Sequence, residues 1–565
     1  MMQANSAKGR VCVVGAGVAG LVTGKVLRDD GFAVTLLTRD ASPGGTWAAE
    51  RVYPALKINS VHGHYWLSGL PMPDPKDSRK TGGRLTGENV RMYMEAYADT
   101  FLSGCIRFNT EVVRIERGPA GSGWVVRVRS AATGAHEAAA EDLHFDRLVL
   151  CTGGMSSPFV PPNLEAGRSK FRGPVIHSSA FNANIHKILA ASESSSEGST
   201  RGTVLVIGGG KSAQDIAAYF ASQGRRVKIV FEKVDAILAS PVPLPAAIRK
   251  SRFMAVFVGH YPMRSRLEKF LHQTTPGSWL IHGFNQFLRW SSFLTFSVPK
   301  QSPLRNSPSI FWSLRTNDEG VGSPDGFYTL TRQNKIELLA PARAASFGDD
   351  GHSVILNTGE VIDAEAVILA TGYQSSWKGL FEDELADEVG LTKQQPTDFH
   401  KWDYPSLANP PPRLSEAEHA TTLIYRGLIP AKSIDRRDFA INGGVFTTNP
   451  AYLFEASAHW ISSYFLEDSF LHVPSCEVAL RECQRVAAWN RQRYPDMFLW
   501  ANESYSTSFA FFDWPQAADD LFEDMGLRTM RSGGNWLTWI FRPVDNNELA
   551  TLTGERRAKR LEATS

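Results

Sequence analysis

Val11-Cys12-Val13-Val14-Gly15-Ala16-Gly17-Val18-Ala19-Gly20 opens the first regular element of the chain, and Val204-Leu205-Val206-Ile207-Gly208-Gly209-Gly210-Lys211-Ser212-Ala213 repeats its grammar. In each, a β-branched run predicts a strand, the small residues predict a tight turn, and the apolar run that follows predicts a helix. The first Gly permits the turn, the second lets backbone approach a pyrophosphate, and the third small position lets helix and strand pack. Amides at the helix start then hold the phosphates. One such hexapeptide arises often by chance; two, each between a strand and a helix and about 190 residues apart, predict two dinucleotide sites. The candidate contacts are Gly15, Gly17, Ala19 and Gly20 at the first, and Gly208, Gly210, Lys211, Ser212 and Ala213 at the second.

Outward from these turns, two further strands end in small residues: Arg147 to Cys151 before Thr152-Gly153-Gly154, and Ala366 to Leu369 before Ala370-Thr371-Gly372-Tyr373. They frame the second dinucleotide unit, as expected if it is inserted into the first. The fold class is therefore α/β, with two Rossmann-like domains, one inserted in the other. Loops are expected at 131–141, which is Ala-rich, and at 191–202, where Ser and Gly dominate.

The 565 residues carry 60 Lys and Arg against 58 Asp and Glu, a net charge of +2 that does not point to nucleic acid. Cysteines 12, 105, 151, 476 and 483 form no C-x-x-C pair, so neither a zinc site nor a disulfide framework is indicated, and a reducing compartment, the cytoplasm, is expected. No metal site is expected. The opening MMQANSAKGR lacks the apolar core of a signal peptide, and the uncharged stretch 271–288 holds too many polar groups to cross hydrocarbon.

After the first unit come Pro43-Gly44-Gly45-Thr46-Trp47 and then Phe171-x-Gly173-x-x-x-His177-x-x-x-Phe181. Here the chain resembles the class B flavin-dependent monooxygenases, in the flavin-containing monooxygenase branch, over about residues 10–235 and 360–465. The Baeyer–Villiger monooxygenases are similar but end the His motif in Trp followed by Pro or Asp, where this chain has Phe181 and Asn182. They also carry an Asp where Tyr53-Pro54-Ala55-Leu56-Lys57-Ile58-Asn59 places Asn59. The resemblance implies FAD in a domain made of residues 1–185 and 356–565, with a C-terminal extension, and NADPH in an inserted domain at 186–355. It also implies oxygenation of a small molecule by a C4a-hydroperoxide of the flavin, with dioxygen as co-substrate. Asn59 is the residue expected in catalysis, offering amide hydrogen bonds near flavin and nicotinamide. His177 is expected in a linker that couples the domains rather than as a base. Cofactor contacts are further expected from Gly45, Thr46, Trp47, Val112, Thr152, Gly153, Thr371 and Gly372.

Two positions depart from the pattern. The strand that normally ends in a ribose-binding acid ends here in Thr38-Arg39-Asp40, leaving Thr38, Arg39 or Asp40 for the flavin ribose. The corresponding end in the second unit is Glu232-Lys233: Glu232 favours NADH, whereas Lys233, Arg225 and Arg226 favour NADPH, the coenzyme of the family.

Residues 241–311 are the least family-like, with nine Lys and Arg against Glu268 alone and aromatics interleaved. They read as a helical subdomain core, as the wall of an apolar substrate cavity, or as a peripheral membrane surface. The part beyond about residue 500 carries no chemistry that the sequence assigns. Oxygenation of an amine, a thioether or an electron-rich carbon, in the tailoring of a specialised metabolite, leads. Baeyer–Villiger insertion and a flavin-binding protein without turnover are the alternatives, and a disulfide reductase is set aside for want of a redox cysteine pair.

Overall fold

The computed structural model describes residues 8–63, 65–76, 83–132, 140–193, 202–242, 244–317, 320, 322–412, 421–495, 503–505 and 508–564. Of the two expected loops, 133–139 and 194–201 lie outside the described residues.

Two five-stranded parallel sheets carry the fold. The first runs Phe439–Ile441, Arg147–Leu150, Arg10–Val14, Ala33–Leu37, Ile106–Arg107. The second runs Val175–His177, Ala366–Leu369, Thr203–Ile207, Arg226–Val230, Ile336–Leu339. Parallel strands covered on both faces must be apolar throughout, and Thr203–Ile207 and Ala366–Leu369 are buried at every position. A three-stranded antiparallel sheet accompanies each, Thr110–Arg117, Trp124–Ser130 and Glu141–Phe145 with the first, Ala344–Phe347, Ser353–Leu356 and Val361–Asp363 with the second.

Both Gly-rich turns lead from strand to helix as the sequence predicts, into Val18–Asp29 and Lys211–Ser222. Strands Val175–His177 and Ala366–Leu369 belong to the second sheet although they fall outside 186–355, because each enters its register directly from a linker. The linkers themselves pair, Ser157–Pro158 against Tyr373–Gln374, so the chain leaves and re-enters the first unit at one place.

The insert after residue 241 is helical: Ala246–Arg249, Phe253–Val258, Arg266–Gln273 and Thr275–Thr295. Its inner side joins the C-terminal region through buried charges. Arg252 pairs with Asp519 at 2.6 Å, and His260 lies between Asp513 and Asp520 at 2.7 and 3.0 Å. The last helix, Leu552–Thr564, docks on the first unit by fully buried Arg556, which donates to Asp30 at 2.6 Å. Among the described residues, no helix is long and apolar enough to cross a membrane.

Candidate active site

Both turns open into one cavity of about 2670 Å³ between the two sheets. At Gly15, φ is +112° and a Cβ would stand 2.4 Å from the carbonyl oxygen of Cys151; at Gly208, φ is +132° and a Cβ would meet the carbonyl oxygen of Ala370 at 2.3 Å. Only glycine fits either place. Gly17 and Gly210 are the N-caps of their helices and no side chain caps them, so the first amides of each helix are left for a ligand at the cavity wall.

The other expected residues fall around the same space. Ala19, Thr38, Arg39, Gly45, Thr46, Trp47, Asn59, Val112, Thr152 and Gly153 line the first unit's side. Lys211, Ser212, Ala213, Lys233, Thr371 and Gly372 line the other. Gly20 does not reach the cavity; it lies behind the turn, where a Cβ would strike the carbonyl oxygen of Gly15 at 2.0 Å. Lys211 forms an ion pair with Asp215 one helical turn on, at 2.7 Å.

At the strand end lacking the usual acid, Thr38 is buried, and Asp40 is taken up by Arg51, which donates to its two carboxylate oxygens at 2.6 and 2.7 Å. Arg51 also donates to the carbonyl of Gly45 at 2.6 Å, tying the Gly-Gly-Thr-Trp turn to the strand. Asp40 is therefore a tether for Arg51; Thr38, Arg39 and Asp40 all line the cavity, with Arg39 donating to the carbonyl of Ser156.

In the second unit, Arg225 and Arg226 stand at the beginning of strand Arg226–Val230, the end away from the cavity, and neither lines it. The cations at the strand's other end are Lys233 and Arg343. Arg343 donates to Glu232 from Nε at 2.7 Å and so offsets the acid that favours NADH. No sequence motif points to Arg343, which comes from the connection between strands Ile336–Leu339 and Ala344–Phe347.

Asn59 lies on strand Lys57–Val61, and its Oδ1 is buried with no hydrogen-bond partner. A buried amide oxygen left so costs about 1–3 kcal/mol. Asn317, on the second unit's side, is in the same position: its Nδ2 donates to the carbonyl of Gly209 at 3.1 Å and its buried Oδ1 is unpartnered. Two orphaned amide oxygens, and two turns whose close approaches exclude a Cβ, fit one dinucleotide at each turn.

His177 does not face this chemistry. Its Nδ1 accepts the Ser179 amide at 3.1 Å, which leaves Nε2–H to donate to the carbonyl of Gly372 at 3.0 Å. Burial pushes its pKa down, so the ring is neutral and joins the two linkers.

Apolar side chains close the rest of the cavity. Ile248, Phe253, Met254, Phe284 and Leu288 come from the insert. Phe511, Phe512 and Trp514 come from beyond residue 500, which the sequence left without a role.

A family model described as pyridine nucleotide-disulphide oxidoreductase matches residues 9–250. The five cysteines are free thiols, none paired with another, so the match concerns the nucleotide-binding fold. The chain is 29% identical over 588 residues to the FAD-dependent monooxygenase resA of Aspergillus sclerotiorum, covering 95% of this chain and 96% of that protein. It is 24% identical to dimethylaniline monooxygenase [N-oxide-forming] 2 of Cavia porcellus, covering 82% and 74%. Among solved structures, an oxidised steroid monooxygenase bound to NADP matches with a TM-score of 0.58 at 17% identity, over 92% of this chain and 98% of that one, and so shares the fold. The chain is a flavin-dependent monooxygenase, a homologue of the fungal FAD-dependent monooxygenases and of the flavin-containing monooxygenases.

Proposed function

We propose that the chain uses FAD and NADPH to insert one oxygen atom of dioxygen into an apolar small molecule, at an amine, a thioether or an electron-rich carbon. The observation that carries this is the shared cavity: both Gly-rich turns open into it, and Asn59, whose Oδ1 is buried without a partner, is among the residues that line it.

In this reading the turn at Gly15 and Gly17 and the amides of helix Val18–Asp29 hold the flavin pyrophosphate, with Thr38 and Arg39 at the ribose. Gly208, Gly210 and the start of helix Lys211–Ser222 do the same for NADPH, and Lys233 and Arg343 take the 2′-phosphate. When bound, FAD supplies the chemistry that accepts hydride from NADPH and activates dioxygen. Asn59 presents a neutral amide, donor and acceptor at once, where an Asp would present a charge. The insert and the C-terminal aromatics exclude water and accept the apolar body of the substrate. Asn59 in place of Asp favours attack on a soft nucleophile over insertion beside a carbonyl. A tailoring step on a specialised metabolite suits so apolar a chamber. Five free cysteines, none paired with another, suit a reducing compartment such as the cytoplasm.

The test is product mass under oxygen-18 gas, with FAD, NADPH and a panel of thioethers, amines, alkenes and ketones. One labelled oxygen in an N-oxide, sulfoxide or epoxide supports the reading, and a labelled ester as the main product replaces it with Baeyer–Villiger insertion.

A further inference from the structure

The insert's longest helix, Thr275–Thr295, is buried along Gly277, Ser278, Ile281, Asn285, Ser292 and Phe293. It is anchored there by Ser278 Oγ donating to the carbonyl of Pro405 at 3.0 Å and by Ser292 Oγ accepting the Ala239 amide at 2.9 Å. Among the described residues, the opposite face has no such partner. At 3.6 residues per turn, Trp279, Leu280, Phe287, Trp290 and Leu294 fall on one arc of about 100°, which Pro276 and Gly283 share. Trp279 is 71% exposed, Trp290 59% and Leu294 63%. No charged residue lies on that arc.

A second apolar element stands beside it. Phe541 stacks on Phe253 with ring centroids 5.4 Å apart, and Phe253 meets Phe284 of the helix edge-on at 5.6 Å. The segment so tied to the helix holds Trp536, 85% exposed, and Leu537. Exposed apolar groups of this size and continuity mark an interaction site rather than ordinary surface.

Charge selects the partner. From Lys269 to Asn317 the sequence contains no Asp or Glu, and Lys269 and Lys300 are exposed near the two ends of the helix. Three exposed Trp beside an apolar stripe and exposed Lys match the polar–apolar boundary of an anionic lipid surface. A second copy of the chain would bring like charges together at the same face. Continuity with the cavity points the same way: Phe287 is exposed on the arc and also lines the cavity beside Phe284 and Leu288.

We infer that the face of helix Thr275–Thr295 bearing Trp279, Leu280, Phe287, Trp290 and Leu294, with the Trp536–Leu537 segment, docks peripherally on anionic lipid. Docking sets Phe287, which also lines the cavity, against the bilayer, where an apolar substrate partitions. The inference concerns the surface alone and is read without turnover, so its failure leaves the oxygenation reading standing, and the reverse also holds.

The test is co-sedimentation of the full FAD-loaded chain with vesicles of phosphatidylcholine alone and of phosphatidylcholine with phosphatidylserine in equal parts. Binding to the anionic vesicles is expected, weakened at least about tenfold in the W279E/W290E variant, in the K269E/K300E variant and by added salt. Unchanged flavin absorbance shows that both variants remain folded. In the unmodified chain, vesicles of brominated lipid should quench Trp fluorescence. No binding to anionic vesicles, or binding that neither variant alters, overturns the inference. So does self-association, by sedimentation velocity, that W279E/W290E abolishes while vesicles go unbound, because it assigns the face to a second copy.

Discussion

The guanidinium of Arg249, on the insert's first helix, donates to the backbone carbonyl of Asn59. Its neighbour Lys250 does the same to Gly63, at the turn that follows the Asn59 strand. The helical insert therefore grips the strand that carries the expected catalytic amide. Charge-assisted bonds of this kind are worth about 1.5–3 kcal/mol each, enough to fix where the Asn59 side chain stands.

Asn59→Ala and Arg249→Ala should both retain FAD, because neither is in the pyrophosphate turn. Both should divert reducing equivalents from substrate to hydrogen peroxide. The peroxide-to-product ratio is expected to rise at least about tenfold in Asn59→Ala, the loss of an interaction worth roughly 1.4 kcal/mol or more, and by less in Arg249→Ala, with Arg249→Lys in between. Equal ratios in the wild type and both variants would remove this strand from the mechanism.

In the proposed reading, coenzyme choice rests on Lys233 and Arg343. Each substitution to Ala should weaken binding of 2′,5′-ADP by about tenfold or more in calorimetric titration and leave 5′-AMP nearly unchanged, since only the former carries the phosphate. Glu232→Gln should leave the 2′,5′-ADP affinity unchanged or raise it. Arg225→Ala and Arg226→Ala should have no effect, because both stand at the far end of their strand.

Gly208→Ala places a methyl against the carbonyl of Ala370 at a φ of +132°. The second turn must then shift while the first is untouched. The purified variant is expected to keep its flavin yet lose NADP binding by at least about tenfold, separating the two sites in one protein. Simultaneous loss of both would mean that the sites are not independent.

His260 sets a pH dependence of stability. Carboxylates Asp520 and Asp513 on either side hold its pKa up, from 6.5 to about 10, against the opposing effect of burial; Arg264 and Arg426 share Asp520. A raised pKa in the folded state gives stability that is complete below about 6.5 and is lost as pH rises through about 10, at about 1.4 kcal/mol per unit for a single group. On the acid side, burial pushes His272 down to about 3 and lowers His459, so their contribution is present above about 6.5 and falls as pH drops toward about 3. Thermal midpoints should therefore be highest near neutrality. His260→Gln should flatten the alkaline limb and cost about 3–5 kcal/mol by stranding buried Asp513, while Asp520 keeps Arg264 and Arg426. An alkaline limb unchanged in His260→Gln would refute this assignment.

The two nucleotide turns were legible because their chemistry is local: strand, glycine positions and helix start all lie within ten or so residues, and steric need dictates the residue type. The His177 motif was legible for a similar reason, since its ring answers to a linker that the same family signature marks. Arg51, Arg249, Arg343 and Asn317 were not legible. Each acts across a distance in sequence that no periodicity reports, on a backbone carbonyl or a carboxylate whose position only the folded chain sets. The aromatics of the insert were legible as a group, but not their division. Phe253 and Phe284 turn toward the cavity and Trp279 and Trp290 turn outward, because the helix is held on one side by Pro405 and Ala239.

The central claim is that one cavity seats a flavin and a nicotinamide close enough for hydride to pass between them. Anaerobic titration of the FAD-loaded protein with NADPH, followed in the blue absorbance of the flavin, tests it most directly. The account predicts bleaching by one equivalent of NADPH per flavin, with colour regained on admitting dioxygen. Flavin that stays bound and yellow through excess NADPH would contradict it.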